Sequence, residues 1–239
     1  MANYLSSTRH PWPCLLFLLP LLAVYEGGLI WLGPQAAGAR NGADVWLRWG
    51  LEVCGVVYFY AAPAIVVLLL ALWSWWRWSD RPEDPITTYF GMAFESCLFA
   101  FGLWQFSRNF GLILDEMGVK LEISGANAPM AQILTFIGAG IYEEVLFRLV
   151  LFVGMFGLLR VVLVLVPKII PLVLAAVVVS LAFAAAHHIG PYGEPMRTDR
   201  FVFRTCAGLY FTLLFITRGF GITVGAHAGY NILVGVNVT

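Results

Sequence analysis

Within Ile141-Tyr142-Glu143-Glu144-Val145-Leu146-Phe147-Arg148, two adjacent carboxylates and a guanidinium interrupt a largely apolar run from Ile133 to Leu159. A charge at bilayer depth costs about 3 kcal/mol on insertion scales, so such groups are paired, face a cavity or carry function. On a helix turning about 100° per residue, Glu144 and Arg148 share one face, four apart, where a glutamate preceding a cation pairs well. Glu143 points about 100° away and has no such partner. The spacing predicts two different tasks: Glu144 is neutralised by Arg148, and Glu143 faces a cavity, suited to general acid or base work.

The bases come from elsewhere in the chain. Three of the four histidines, His187, His188 and His227, fall at or inside apolar runs. His187 follows Phe183 by four residues and shares its face, whereas His188 points about 100° away, so one of the two enters any shared site. The turns before them, Ala182 and Ala184 to Ala186, are small enough for close helix approach. His227 and Asn231 again stand four apart on one stripe, roughly 140° around the axis from Gly221, Gly225 and Gly229. That glycine series suits packing against a neighbour while the His/Asn stripe faces a polar cavity. A single membrane histidine is as often only an interhelical hydrogen-bonding group, but here three separate spans each bring a polar set at helical spacing. Glu26, Glu52 and Glu95 also lie in or near apolar runs. Glu52 reads as interfacial, Glu95 as paired or lining the cavity wall, and none of the three is given a role.

The elements that must position these groups are membrane helices. The 239 residues are 60% hydrophobic and 12% charged, with a mean hydropathy of +0.82, where soluble domains carry about 25% charge. The expected fold is all-α, a polytopic transmembrane bundle of about seven spans at 12–32, 51–75, 86–107, 130–158, 169–188, 201–217 and 219–238. The polar stretch from Arg77 to Pro85 is the strongest boundary, dividing an N-terminal pair of helices (1–85) from a core (86–239). Residues 108–130 read as an amphipathic interfacial segment. Trp73, Trp75, Trp76 and Trp78 read as an aromatic belt where the second span meets the polar loop. Basic residues divide almost evenly between the two sides, so charge sets no orientation. Zero formal net charge gives no reason to expect a nucleic-acid partner. Cys14, Cys54, Cys97 and Cys206 lack metal-ligand spacing and read as apolar packers. The first apolar run has a signal-peptide outline but contains Pro13 and Pro20 and lacks a small-residue cleavage motif, so it reads as an uncleaved span.

Glu143-Glu144-x-x-x-Arg148, Phe183-x-x-x-His187 and His227-x-x-x-Asn231, in that order on successive helices, resemble the CPBP family of intramembrane proteases. That family includes CAAX prenyl endopeptidases and bacteriocin-processing or immunity proteins, and the resemblance covers about residues 86–239. It implies a glutamic-type endopeptidase. Glu143 would activate a water with help from His187, His227 and Asn231 would stabilise the oxyanion, and Glu144, Arg148 and Phe183 would support them. It also implies a membrane-associated peptide or protein substrate and a multi-pass location in a cell membrane, and the short architecture without long soluble domains points to a prokaryotic inner or plasma membrane. No metal or other cofactor is expected. Zinc on Glu143, His187 and His227 is the lesser alternative, since His-Glu-x-x-His is missing. A proton-coupled transporter would use the same buried charges as a relay, but no internal repeat is visible. A non-catalytic immunity or binding relative would be expected to have lost one of the motif residues.

Overall fold

The computed structural model describes residues 4–116, 130–190 and 193–235, and every structural statement below concerns these. Their regular elements are all helices: α1 (Tyr4–Ser7), α2 (Pro11–Leu32), α3 (Gly42–Val53), α4 (Ala61–Trp76), α5 (Pro85–Glu116), α6 (Met130–Glu144), α7 (Val153–Val162), α8 (Ile169–Ala186), α9 (Thr198–Arg218) and α10 (Phe220–Gly235). A π-helical stretch, Val145–Phe152, joins α6 to α7, and short 3-10 turns occupy Gly33–Ala39 and Trp78–Asp80. Five segments are long and apolar enough to cross a membrane: Pro11–Leu32, Pro85–Phe110, Ala131–Val162, Ile169–Ala186 and Thr198–Arg218. The shorter α4 and α10 complete an all-α, multi-pass bundle compatible with about seven spans.

Two expected boundaries move. The run read as a span over 51–75 is broken: α3 ends at Val53, Gly55 takes φ 83°, and α4 begins at Ala61. Positive φ is where glycine has no steric penalty, and Pro63, in the first turn of α4, sits where its missing N–H costs nothing. Glu52 is consequently on α3, exposed to the surroundings. The segment from Arg108 begins as a continuation of α5 to Glu116 rather than as a separate interfacial element; the rest of that expected element, 117–129, lies outside the described residues.

The α10 helix is central, packed on α5 and α6 and touching α2 and α9. Its glycine stripe is spent as the spacing predicts. A Cβ on Gly221 would meet Met92 and Cys14, one on Gly225 would meet Ser96 and Phe17, and one on Gly229 would meet Ala100. Those neighbours belong to α5 and α2. From the other side Gly140 of α6 lies against the backbone of Ala228, with an added Cβ 2.7 Å from its nitrogen. These close approaches hold α6 and α10, the two helices bearing Glu143 and His227, at a fixed distance.

Two of the unassigned glutamates prove to be structural partners. Glu95 on α5 receives Arg218 Nε at 2.9 Å and Nη2 at 2.6 Å, tying α5 to the end of α9. Glu26 on α2 accepts from Tyr142 Oη at 2.6 Å and from Arg48 Nη2 at 3.0 Å. Of the four tryptophans, Trp75 and Trp76 are largely exposed, as an interfacial belt requires. Replacing Gly140 by Ala should lower stability by about 1–3 kcal/mol through overpacking, read as a fall in thermal midpoint in detergent. Gly154→Ala on α7, where nothing lies within 4 Å of the added carbon, should leave the midpoint unchanged or raise it, because Ala favours the helix by about 1 kcal/mol.

Candidate active site

The end of α6 delivers three of the expected residues at once. Glu144 and Arg148 are both fully buried, and their ion pair, Arg148 Nε to Glu144 Oε2, spans 3.0 Å. Arg148 also donates from Nη2 to Gly208 O of α9 at 3.1 Å. Its guanidinium carbon lies 4.8 Å from the Phe183 ring centre and 5.6 Å from that of Phe211, so two aromatic faces complete its shell. The i, i+4 pairing read from sequence holds, although the backbone between the partners is already widening into the π-helical stretch. Such widened turns are frequent at functional sites, and apolar periodicity gives no sign of them.

Glu144 has a second partner that spacing alone does not reveal. His227 Nδ1 stands 2.7 Å from Glu144 Oε1. A carboxylate accepts, so Nδ1 holds the proton and Nε2 points onward. The imidazole is stacked on Phe211 with centroids 4.4 Å apart at 19°, and Phe183 meets it edge-on at 5.9 Å. His187, the residue that closes α8, is fixed in the same manner. Its Nδ1 donates to Phe183 O at 2.8 Å, which leaves Nε2 directed into the site. Phe183 therefore fixes one histidine with its carbonyl and packs against the other, and against Arg148, with its ring.

Both Nε2 atoms converge on Glu143. Glu143 Oε2 lies 3.8 Å from Nε2 of His187 and 3.8 Å from Nε2 of His227. It is buried and without a hydrogen-bond partner among the described residues. The separations are too long for direct hydrogen bonds. Separations of this size suit a bridging water between the carboxylate and an imidazole. The other oxygen, Oε1, accepts from Asn41 Nδ2 at 3.3 Å, a residue to which the sequence reading assigned nothing. These side chains form no group placed to hold a metal ion among the described residues.

The ambiguity of the double histidine resolves. His188 turns away, donating from Nδ1 to Glu194 O at 2.9 Å, while Glu194 N donates to His187 O at 2.9 Å. Glu194 is gripped in turn by Arg200 at 2.8 Å and Arg204 at 2.9 Å. Partial burial disfavours its charge, yet the two guanidinium groups outweigh that and hold its carboxyl below the usual range. This brace is complete at neutral pH and is lost only as pH falls through the lowered value.

Two cavities flank the cluster. One, of about 380 Å³, is lined by His187, His227 and Asn231 together with Phe203, Arg204 and Tyr230. The other, of about 200 Å³, is bounded by Gly42, Trp46, Glu143, Phe147 and His187. Asn231 lies one turn beyond His227 on the wall of the larger cavity, Glu143 lines the smaller one, and His187 lines both.

Residues 125–233 match the family described as Type II CAAX prenyl endopeptidase Rce1-like. This is the CPBP/CAAX protease family that the three motifs resemble, and the matched segment contains all of them. Asn41 and helices α1 to α5 lie outside it. No curated protein and no solved structure matches the chain. Arg148→Leu should destabilise the protein by about 3–5 kcal/mol, because it leaves Glu144 buried and uncompensated. Chemical or thermal unfolding in detergent reads this directly, and an unchanged midpoint would contradict the pairing.

Proposed function

We propose that this protein is an intramembrane endopeptidase of the glutamic type. The observation that carries the reading is Glu143 Oε2, 3.8 Å from two imidazole nitrogens, on the wall of a cavity that shares His187 with a larger one. A peptide lying across both cavities presents an internal bond to Glu143. Glu143 takes a proton from a water, with His187 Nε2 as the second acceptor, and the water oxygen attacks the carbonyl carbon. The carbonyl π electrons move to oxygen, and Asn231 Nδ2 and His227 Nε2–H donate to that oxyanion. The C=O bond re-forms as the C–N bond breaks, the leaving nitrogen takes the one proton that Glu143 removed from the water, and His187 Nε2 accepts a hydrogen bond from the hydroxyl that stays on carbon.

Donation from His227 Nε2 requires the imidazolium form, since Nδ1 already donates to Glu144. The step uses no metal and no cofactor.

The substrate class is a membrane-associated or membrane-anchored peptide or protein, cleaved near the membrane in a C-terminal sorting or anchor signal, a leader peptide or a CAAX-like prenylated tail. The family description supports the last of these. The setting proposed is a cell membrane, the prokaryotic inner or plasma membrane. Glu143→Gln and His187→Ala should each lower cleavage of a native substrate about a thousandfold while insertion and thermal midpoint stay unchanged. Peptide mass spectrometry of membrane and secreted proteins from cells carrying active or Glu143→Gln protein identifies that substrate. Full activity in purified Glu143→Gln would overturn the mechanism, and loss of activity on chelation with restoration by zinc would overturn its metal-free form.

A further inference from the structure

Asn41 lies on the α2–α3 connection, about a hundred residues before Glu143 in the chain, yet its side chain reaches the carboxylate that the proposed reaction uses. It is the N-cap of α3: its Oδ1 accepts from Asp44 N at 2.9 Å. That bond decides the orientation of the amide. The backbone N–H can only donate, so the oxygen must face Asp44 and the Nδ2 group must face Glu143 Oε1, 3.3 Å away. Asn41 is buried, only 6% exposed, and neither end of its amide is free to exchange.

The loop carrying Asn41 is held against α6 by independent bonds. Thr135 Oγ1 of α6 donates to Ala39 O at 2.9 Å. Asp44, whose amide Asn41 caps, accepts from Tyr25 Oη at 2.8 Å, from Arg48 Nε at 2.6 Å and from Arg40 Nη1 at 2.5 Å. Arg48 continues to Glu26, and Glu26 accepts from Tyr142, the residue immediately before Glu143. The buried polar network of α2 and α3 thus grips the backbone neighbour of the carboxylate, and the cap grips the carboxylate itself.

We infer that Asn41 is a positioning residue for Glu143. Resting on the protease reading, it holds Oε1 so that Oε2 is the oxygen turned toward His187 and His227. A part of the chain outside the matched segment therefore completes the site. The groups facing Glu143 are Asn41 from the α3 cap, His187 from the end of α8, His227 from α10 and, on its own helix, the Glu144–Arg148 pair.

The test separates positioning from capping. Ser is as good an N-cap as Asn but is too short to reach Glu143, and Asp caps while opposing Glu143 with a second carboxylate. The purified full chain, as wild type, Asn41→Ser and Asn41→Asp, is compared by thermal midpoint and by the infrared carboxylate band of Glu143, assigned by subtracting Glu143→Gln. Turnover of the peptide that the wild type cleaves is measured across pH. Asn41→Ser is expected to keep the midpoint, shift the Glu143 band and lower kcat about tenfold, the scale of one hydrogen bond to a charged group, with KM little changed. Asn41→Asp is expected to move the acid limb of kcat to higher pH. If Asn41→Ser unfolds the protein, Asn41→Asp, which retains the cap, carries both readouts. An unmoved Glu143 band and acid limb in a folded variant would overturn the inference and leave the protease reading standing. A shifted band together with full proteolysis by Glu143→Gln would keep the contact and overturn the reading instead.

Discussion

The whole arrangement depends on how two neighbouring carboxylates are accommodated in an apolar interior. One, Glu144, has a close partner for each oxygen: Arg148 Nε lies 3.0 Å from Oε2, His227 Nδ1 lies 2.7 Å from Oε1, and solvent does not reach it. The other, Glu143, has hydrogen-bonding on one oxygen and none on the second. Burying a charge without a partner is costly, so an orphaned carboxylate oxygen between two imidazoles is a feature that packing alone gives no reason to keep. The asymmetry between the pair is what turns a buried ion pair into a site.

Compensating Glu144 also builds the rest of the pocket. By accepting from His227 Nδ1 it sets that ring's tautomer and aims Nε2 at Glu143. By holding Arg148 it places the guanidinium against Phe183 and Phe211, the same two rings that pack on His227. The Phe183 carbonyl sets the other histidine. Three helices that share no sequence proximity are therefore locked into one geometry by a single buried charge pair and the aromatic shell around it. The small residues at Gly140, Gly221, Gly225 and Gly229 matter for the same reason, since they let α10 come close enough for these bonds to form.

Much of this was legible in the chain. The partition of Glu143 from Glu144 followed from a 100° turn and the position of Arg148, and the direction of the glycine stripe followed from its offset against His227. The angular argument narrowed the doublet His187-His188 to one residue and the Phe183-x-x-x-His187 motif named which; that His188 is turned to the loop carbonyl of Glu194 is a contact no periodicity encodes. Asn41 was invisible because its signal is that of an ordinary helix cap; what makes it part of the site is a contact across about a hundred residues. The break at Gly55 and the π-helical widening after Glu144 were missed because both sit inside continuous apolar sequence, where hydropathy reports burial and is silent about local geometry. The links from Glu26 to Tyr142 and from Glu95 to Arg218 are also long-range, and residue spacing along one helix cannot anticipate them.

The account's central claim is that two oxygens meet at one centre: an attacking oxygen held by Glu143 Oε2 and His187, and a carbonyl oxygen held by His227 and Asn231. A structure of the protein in lipid with a peptidyl phosphinate, a stable mimic of the tetrahedral intermediate, tests it most directly. One phosphinate oxygen should lie within hydrogen-bonding distance of Glu143 Oε2 and His187 Nε2, and the other should accept from Asn231 and His227. A phosphinate bound elsewhere, or bound with Glu143 turned away from it, would contradict the account.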